Sequence, residues 1–294
     1  MGKETQSADK ESISLQVMIC TYGQEGLKRV ATSTHPKVEG VEYLVSCQIE
    51  GGVTIPKELY REDFKIITTA SKGLSINRNH ALTQATAPVL LISDDDTDYS
   101  AEGLKNVIEA FRNHPDADII TFRYDSPVSK KFYPDHSVSL NNIPKGYYIS
   151  SIEIALRRRS IQGKFWFNEN FGIGAMFPSG EEDIFVYDCL NAGMKGIFEP
   201  ITIARHDGPT TSERNLKLPT RSQTKGAVFL RLHPHSWPLR MMAHALREIP
   251  LWRNGLKPSP ISFCKNWITG VITAKKNKVF QKPNPSIKNY HINE

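Results

Sequence analysis

Apolar positions fall in short runs through the first two thirds of the chain. SLQVMIC (14–20), VEYLVSC (41–47), FKIITT (64–69), PVLLIS (88–93) and ADIITFRY (117–124) are each dense in Val, Ile and Leu. Short apolar runs rich in β-branched residues predict strands. Helical spacing follows three of them: Gly23 to about Ser33, Ile76 to Thr83, and Ser100 to about Arg112. Strands apolar at nearly every position, alternating with helices, predict an α/β fold with a mostly parallel sheet covered on both faces. Ligands of such sheets collect at the carboxyl ends of the strands. The residues to weigh for chemistry are therefore Thr21 and Tyr22, Gln48, Thr69 to Gly73, and Asp94 to Asp98.

Beyond 125 the pattern changes. Residues 125–150 are irregular and hold Pro127, Pro134, Asn141, Asn142 and Pro144, a length that suits a functional loop. FPSGEEDIFVYDCL (177–190) reads as a loop turning into a helix, with Ile184, Tyr187 and Leu190 on one side. GIFEPITIARHDG (196–208) reads as a strand ending near His206. From Leu239 to Arg253, the residues Met241, Met242, Ala245, Leu246, Ile249 and Trp252 share one helical face, opposite Arg240, His244 and Arg247. Pro250 is expected to kink or end that helix. The divisions are a polar tail over 1–13, an α/β domain over 14–215 and a basic, mainly helical segment over 216–294.

Charge separates the same parts. The 294 residues carry 37 Lys+Arg against 31 Asp+Glu, a net +6, but 1–204 hold 21 against 27 and 205–294 hold 16 against 4. The balances of −6 and +12 point the two parts at different partners. At 39% hydrophobic and 23% charged, the chain is globular rather than disordered or fibrous. Cys20, Cys47, Cys189 and Cys264 lie far apart with no CxxC, which indicates neither a disulfide framework nor a zinc knuckle and fits a reducing cytoplasm. MGKETQSADKES lacks the apolar core of a secretory signal, and no stretch reaches the ~18 uninterrupted apolar residues of a membrane span, so a cytoplasmic protein is expected.

Asp94, Asp95, Asp96 and Asp98 crowd within five residues at the mouth of the expected sheet. Like charges ~4 Å apart repel by roughly 1 kcal/mol per pair in water and by more in a cleft, which a bound cation relieves. Oxygen ligands suit Mg2+ or Mn2+, which use one or two carboxylates with substrate phosphates. The ordinary alternative is a solvated turn with Asp98 or Ser100 capping the next helix. A second acidic group, Glu182 and Asp183, opens the later helix; Ser179 and Glu182 have capping-box spacing, which leaves Asp183 as a candidate general base. His206 is either structural or part of the same site.

Taken in order, VMICTYGQEGLKRV, KGLSINRNHAL, VLLISDDDTDY, FNENFGIGAMFPSGEEDIFVYDCLNAGMKGIFEP and IARHDGPTTS resemble the family 2 glycosyltransferases over roughly 14–215. The resemblance implies the GT-A fold, a Rossmann-like, mostly parallel central sheet with helices on both faces, followed here by the basic helical segment. It implies inverting transfer of a hexosyl or N-acetylhexosaminyl group from a nucleotide-diphosphate sugar to a hydroxyl. On this likeness Asp95, Asp96 and His206 are ligands for Mn2+ or Mg2+, and Asp94 lies near the ribose or donor sugar. Asp183 is the catalytic base with Glu182 beside it. Arg78 and Asn79 lie near the donor, and Thr21 and Tyr22 beside the nucleotide base. Gln48 stands where many members carry an Asp that helps read the base; its amide both donates and accepts, so pairing with uracil or thymine survives and a UDP-sugar is favoured.

The implied acceptor is a glycan or a lipid-linked glycan, in cell-surface polysaccharide synthesis. SSIEIALRRR (150–159) is expected to line the acceptor side, with Arg157, Arg158 and Arg159 meeting an anionic acceptor or solvent. Trp252 and Trp267 among Lys265, Lys275, Lys276 and Lys278 give the aromatic and cationic mix of a membrane-surface segment. Peripheral contact with an anionic membrane, on the cytoplasmic face of the inner membrane, is expected beside the alternative that this face packs on the domain. One rival, a sugar nucleotidyltransferase of similar fold, lacks its glycine-rich start here. The other, a non-catalytic nucleic-acid or nucleotide-binding protein, is prompted by the basic tail but leaves the clustered aspartates unexplained, so no nucleic-acid partner is expected.

Overall fold

The computed structural model describes residues 13–128, 131–144, 146–208, 218–255 and 259–279. The expected tail at 1–13 lies outside them save for Ile13. Leu15–Tyr22 (β1) is buried at every position but its last and lies between Val41–Gln48 (β2) and Val89–Asp94 (β4), parallel to both. Phe64–Thr69 (β3) adds in parallel on β2. Successive side chains of a strand point to opposite faces, so a strand apolar throughout must be covered twice. Leu15, Val17 and Ile19 pack under Leu27 and Val30 of Gly23–Thr32 (α1) and under Leu104, Val107 and Phe111 of Ala101–Asn113 (α3). Met18 and Cys20 pack on the other face, in one core with Ala81 and Leu82 of Leu74–Gln84 (α2). Of the two caps offered for α3, Ser100 is the one used: its hydroxyl accepts from Gly103 N at 2.9 Å.

Beyond β4 the sheet departs from the all-parallel pattern. Ile154–Arg157 (β8) inserts antiparallel between β4 and Ile119–Asp125 (β6), and Gly196–Arg205 (β9) follows in parallel on β6. The hairpin-like Asp98–Tyr99 (β5) and Val138–Ser139 (β7) both pair antiparallel with β9. The order is β3-β2-β1-β4-β8-β6-β9-β5, with β7 beside β9. Arg157 meets neither acceptor nor solvent: it is buried at 8% exposure, and its guanidinium donates to the carbonyls of Phe111, His114 and Ala117 around the end of α3. The single turn Arg158–Ile161 (α4) follows. Glu181–Asn191 (α5) lays Phe185, Val186 and Cys189 into the second core.

Leu218–Leu232 (α6), Trp237–Arg253 (α7) and Pro260–Lys276 (α8) form a separate helical layer around a third core. Pro250 does not end α7; it sits in the final turn, where a missing N–H costs one bond. α8 has Ser259 accepting from Ser262 N, Pro260 at its first position and Lys275 and Lys276 in its last turn, each suited to its place. Trp267 is fully buried rather than outward-facing. It sits where α6 and α8 cross: a Cβ on Gly226 would lie 2.1 Å from the Trp267 carbonyl, and one on Gly270 1.9 Å from that of Gln223. Ile184 of α5 joins this third core, so α5 is shared between the sheet and the helical layer. Among the described residues no helix is long and apolar enough to cross a membrane.

Candidate active site

The carboxyl ends of β1, β2, β3 and β4 meet the start of α2 and the start of α5. Asn77 fixes this junction from α2, donating through one amide nitrogen to Thr21 O and Ser46 O at 3.0 and 2.9 Å. The next residue, Arg78, is 1% exposed and reaches three carboxylates. Nη1 donates to Glu181 at 3.0 Å and Glu182 at 3.2 Å, and Nη2 to Asp94 Oδ1 at 3.2 Å. Burial works against the charge on Arg78, but Glu182, Asp94 and Glu181 outweigh it and hold the guanidinium protonated. A single buried arginine thus joins the two acidic segments, through Asp94 on one side and Glu181 and Glu182 on the other. Arg78 itself lies beneath them, and its contact with a donor would pass through those carboxylates.

The three aspartates point in three directions. Asp94 takes Arg78 on one oxygen and the Ser151 hydroxyl on the other, at 3.0 Å. Asp95 accepts two parallel bonds from Arg29 of α1, both at 2.8 Å, and one from the Thr21 hydroxyl at 2.5 Å. Gly26 leaves the room for this: a Cβ there would fall 1.9 Å from the Thr21 hydroxyl. The structure therefore does not pair Asp95 with Asp96; it spends Asp95 on Arg29 and Thr21. Asp96 instead meets His206, whose Nε2 lies 3.2 Å from Oδ1. The β5–β9 ladder, with Asp98 opposite Arg205, carries the two segments together, and His206 N donates to Asp125 O. Asp98, the fourth member of the run, accepts from Thr34 N at 2.5 Å.

At the start of α5 the capping box suggested by Ser179 and Glu182 is absent, since Gly180 is the N-cap and Glu182 is drawn to Arg78. Glu181 is buried against Arg78, and burial with the adjacent Glu182 pushes its carboxyl up to about 8 against the pull of the guanidinium. Asp183 is solvent-exposed, within dense protein surroundings. Those surroundings and the charge of Glu182 push its carboxyl up to about 7, with Lys131 opposing.

The remaining expected residues divide. Gln48 is 3% exposed and donates to Ser71 Oγ and Gly73 O, so its amide nitrogen holds the turn after β3. Tyr22 is 44% exposed at the end of β1. Asn79 is fully buried: its amide donates to Phe167 O and Glu169 and accepts from Phe167 N, a brace within the fold rather than a donor contact. Arg29, Ser151 and Glu181 were not picked out by sequence reasoning. Arg29 lies one helical turn beyond Gly26, a usable signal; Ser151 is 57 residues from Asp94 and carried none. A hollow of about 450 Å3 between His114 and Lys195 lies at the opposite end of the sheet, and one of about 570 Å3 lies along α8 between Pro260 and Thr269.

Residues 50–179 match the family model for glycosyl transferase family 2. Over that segment, which holds Arg78 and the 94–96 acidic run, the chain is similar to the family 2 glycosyltransferases. The structure of Staphylococcus aureus TarS 1-349 in complex with UDP-GlcNAc is similar at TM-score 0.55 and 16% identity, over 90% of this chain and 92% of that one. A longer S. aureus TarS chain aligns at TM-score 0.52 and 17% identity over 75% of this chain, which spans only 40% of it. The mannosyltransferase PcManGT from Pyrobaculum calidifontis, in complex with GDP-Man and Mn2+, aligns at 0.51 and 14% identity, over 90% of this chain and 87% of that one. At these identities the likeness is one of fold, GT-A. No curated protein matches the sequence.

Proposed function

We propose that this glycosyltransferase moves a hexosyl or N-acetylhexosaminyl group from a UDP-sugar to a hydroxyl of a glycan or lipid-linked acceptor, with inversion. The observation that carries the reading is the joining of 94–96 to 181–183 through Arg78. Donor-side and acceptor-side carboxylates are thereby held together. Asp183 is the base: a carboxyl raised to about 7 is a better proton acceptor than an ordinary aspartate, and it remains open to solvent and hence to an acceptor. It accepts the proton of the acceptor hydroxyl as that oxygen attacks the anomeric carbon on the face opposite the leaving diphosphate. Glu182, held by Arg78, adds negative charge beside it.

Asp96 and His206 fit a divalent cation, since one oxygen and one imidazole nitrogen lie within 3.2 Å of each other and the diphosphate supplies further oxygen ligands. Mn2+ or Mg2+ bound there would act as a Lewis acid on the leaving diphosphate. Asp95, neutralised by Arg29, serves the nucleotide side with Thr21. Gln48 has already used its amide nitrogen, which leaves Oε1 to accept from the ring N–H of uracil; cytosine and adenine offer no such donor. A thermal-shift panel of UDP-, GDP- and dTDP-sugars with and without Mn2+ tests the reading. A shift that requires both UDP-sugar and metal is expected; no shift with any pair would overturn it.

The setting we propose is polysaccharide synthesis at the cytoplasmic face of the membrane. Leu239, Met242 and Leu246 of α7 and Ile261, Ile268 and Ile272 of α8 are outward-facing, among Arg240, Arg247, Lys265 and Lys276. Such a stripe fits an anionic bilayer surface. Flotation with phosphatidylglycerol vesicles is expected, and a wholly unbound protein would refute the attachment.

A further inference from the structure

Lys131 occupies an unusual place for a lysine. Its side chain is 2% exposed, and its ammonium donates to both oxygens of the fully buried Glu153, at 2.7 and 2.6 Å, and to Ser150 Oγ at 3.0 Å. The Tyr133 hydroxyl and the Ser150 backbone N–H complete the donors on Glu153. The rings of Tyr148, Tyr147, Tyr133 and Tyr124 surround the ammonium with centroids 4.3 to 5.8 Å away. Burial draws the lysine down and pushes the glutamate up, against the attraction between them. A buried pair of this kind adds little stability over apolar packing of the same volume. Its position accounts for it better. Glu153 ends the short 3-10 turn Ser151–Glu153, and the first residue of that turn is the one that donates to Asp94. The charge of Lys131 also reaches Asp183 and Glu182.

We propose that Lys131 is a positioning residue for the transfer. It clasps the 131–150 loop onto the reacting end of the sheet, and through the Ser151–Glu153 turn it holds the Ser151 hydroxyl on Asp94. Donor and acceptor walls are thereby set by one cation. The clasp also keeps a positive charge opposite Asp183, whose other charged neighbours are Glu182 on its own helix and, beyond that residue, Arg78 from α2. The inference rests on the roles given above to Asp94 and Asp183.

The test compares Lys131→Met, Lys131→Arg and the double variant Lys131→Met with Glu153→Leu, which removes both charges and so leaves no buried orphan. Hydrogen exchange of the substrate-free protein is expected to rise by about tenfold in 131–153 for Lys131→Met, with β4 unchanged and Lys131→Arg near wild type. In turnover assays, loss of the charge in both Met variants is expected to move the acidic limb of the kcat profile up by as much as about one pH unit. Ser151→Ala is expected to raise the donor KM several-fold without moving that limb. If the double variant has wild-type exchange, limb and donor KM, Lys131 is packing alone and the proposal is overturned. Were the wild-type enzyme to transfer from no nucleotide sugar, the reading of the site would fail, and the exchange result would still decide the clasp.

Discussion

The mouth of the sheet and the C-terminal helices handle like charge in opposite ways. At the mouth, carboxylates of 94–96 and 181–183 crowd together, and partners arrive from distant elements: Arg29 on Asp95, Arg78 on Asp94, Glu181 and Glu182, and the His206 ring beside Asp96. In the helical layer, Arg221, Lys225, Arg231, Arg240, Arg247 and Arg253, with Lys265, Lys275, Lys276 and Lys278, meet a single acid of that layer, Glu248. Arg231 is drawn into the fold by Asp188 of α5 at 2.6 Å. Crowded charge needs partners at fixed places, and therefore fixes its own geometry. Spread charge needs only solvent or an anionic surface, and leaves geometry to apolar packing.

The contrast breaks most sharply at Asp183, the base we propose. Asp183→Asn is expected to lower kcat by about 10^2- to 10^4-fold while nucleotide-sugar binding, read by calorimetry, is retained. Glu182→Gln should cost less; a larger loss there would move the base to Glu182. The wild-type rate is expected to fall tenfold per pH unit well below about 7 and to level off above it, because only the ionised Asp183 accepts a proton. Arg78→Met strands three carboxylates at once, and denaturant unfolding is expected to show a loss of about 3–5 kcal/mol. Gly270→Ala forces a Cβ into the carbonyl of Gln223 and is expected to cost about 1–3 kcal/mol by the same measurement. At the small end, Lys265→Glu with Lys276→Glu is expected to leave stability and turnover of a soluble acceptor unchanged, and to abolish vesicle flotation.

What could be read in advance follows the range of the interactions involved. β1, β2 and β4 were legible because each is buried on both faces, which writes a continuous apolar run, whereas β3, the half-buried edge strand, was legible from its Ile and Thr residues. The antiparallel insertion of β8 was not, since IALR carries no mark of direction and its partners lie more than 30 residues away. The acidic groups were legible as clusters, but the assignment of partners was not. Asp95 faces Arg29 rather than a shared cation site with Asp96, because α1 lies over the end of β4 and Gly26 leaves space for the contact. Asn79 follows Arg78 in the chain, yet helical rotation turns it about 100° away, into the brace on Phe167. In the basic segment the helical face of α7 was legible only in part: Met242 and Leu246 face outward while Ala245 is buried. Trp267 was misplaced because the nearby Lys265 suggests an outward face, while its neighbours in space, Gly226 and Phe229, belong to α6.

Helix α5 carries Glu181, Glu182 and Asp183 at its first turn, Phe185 and Cys189 in the sheet core, and Ile184 in the core of the helical layer. It behaves mechanically as a beam clamped at two supports. A force on the C-terminal helices would bear directly on α5, and the spacing between its first-turn carboxylates and Asp94 would change only if one of the two supports gave way.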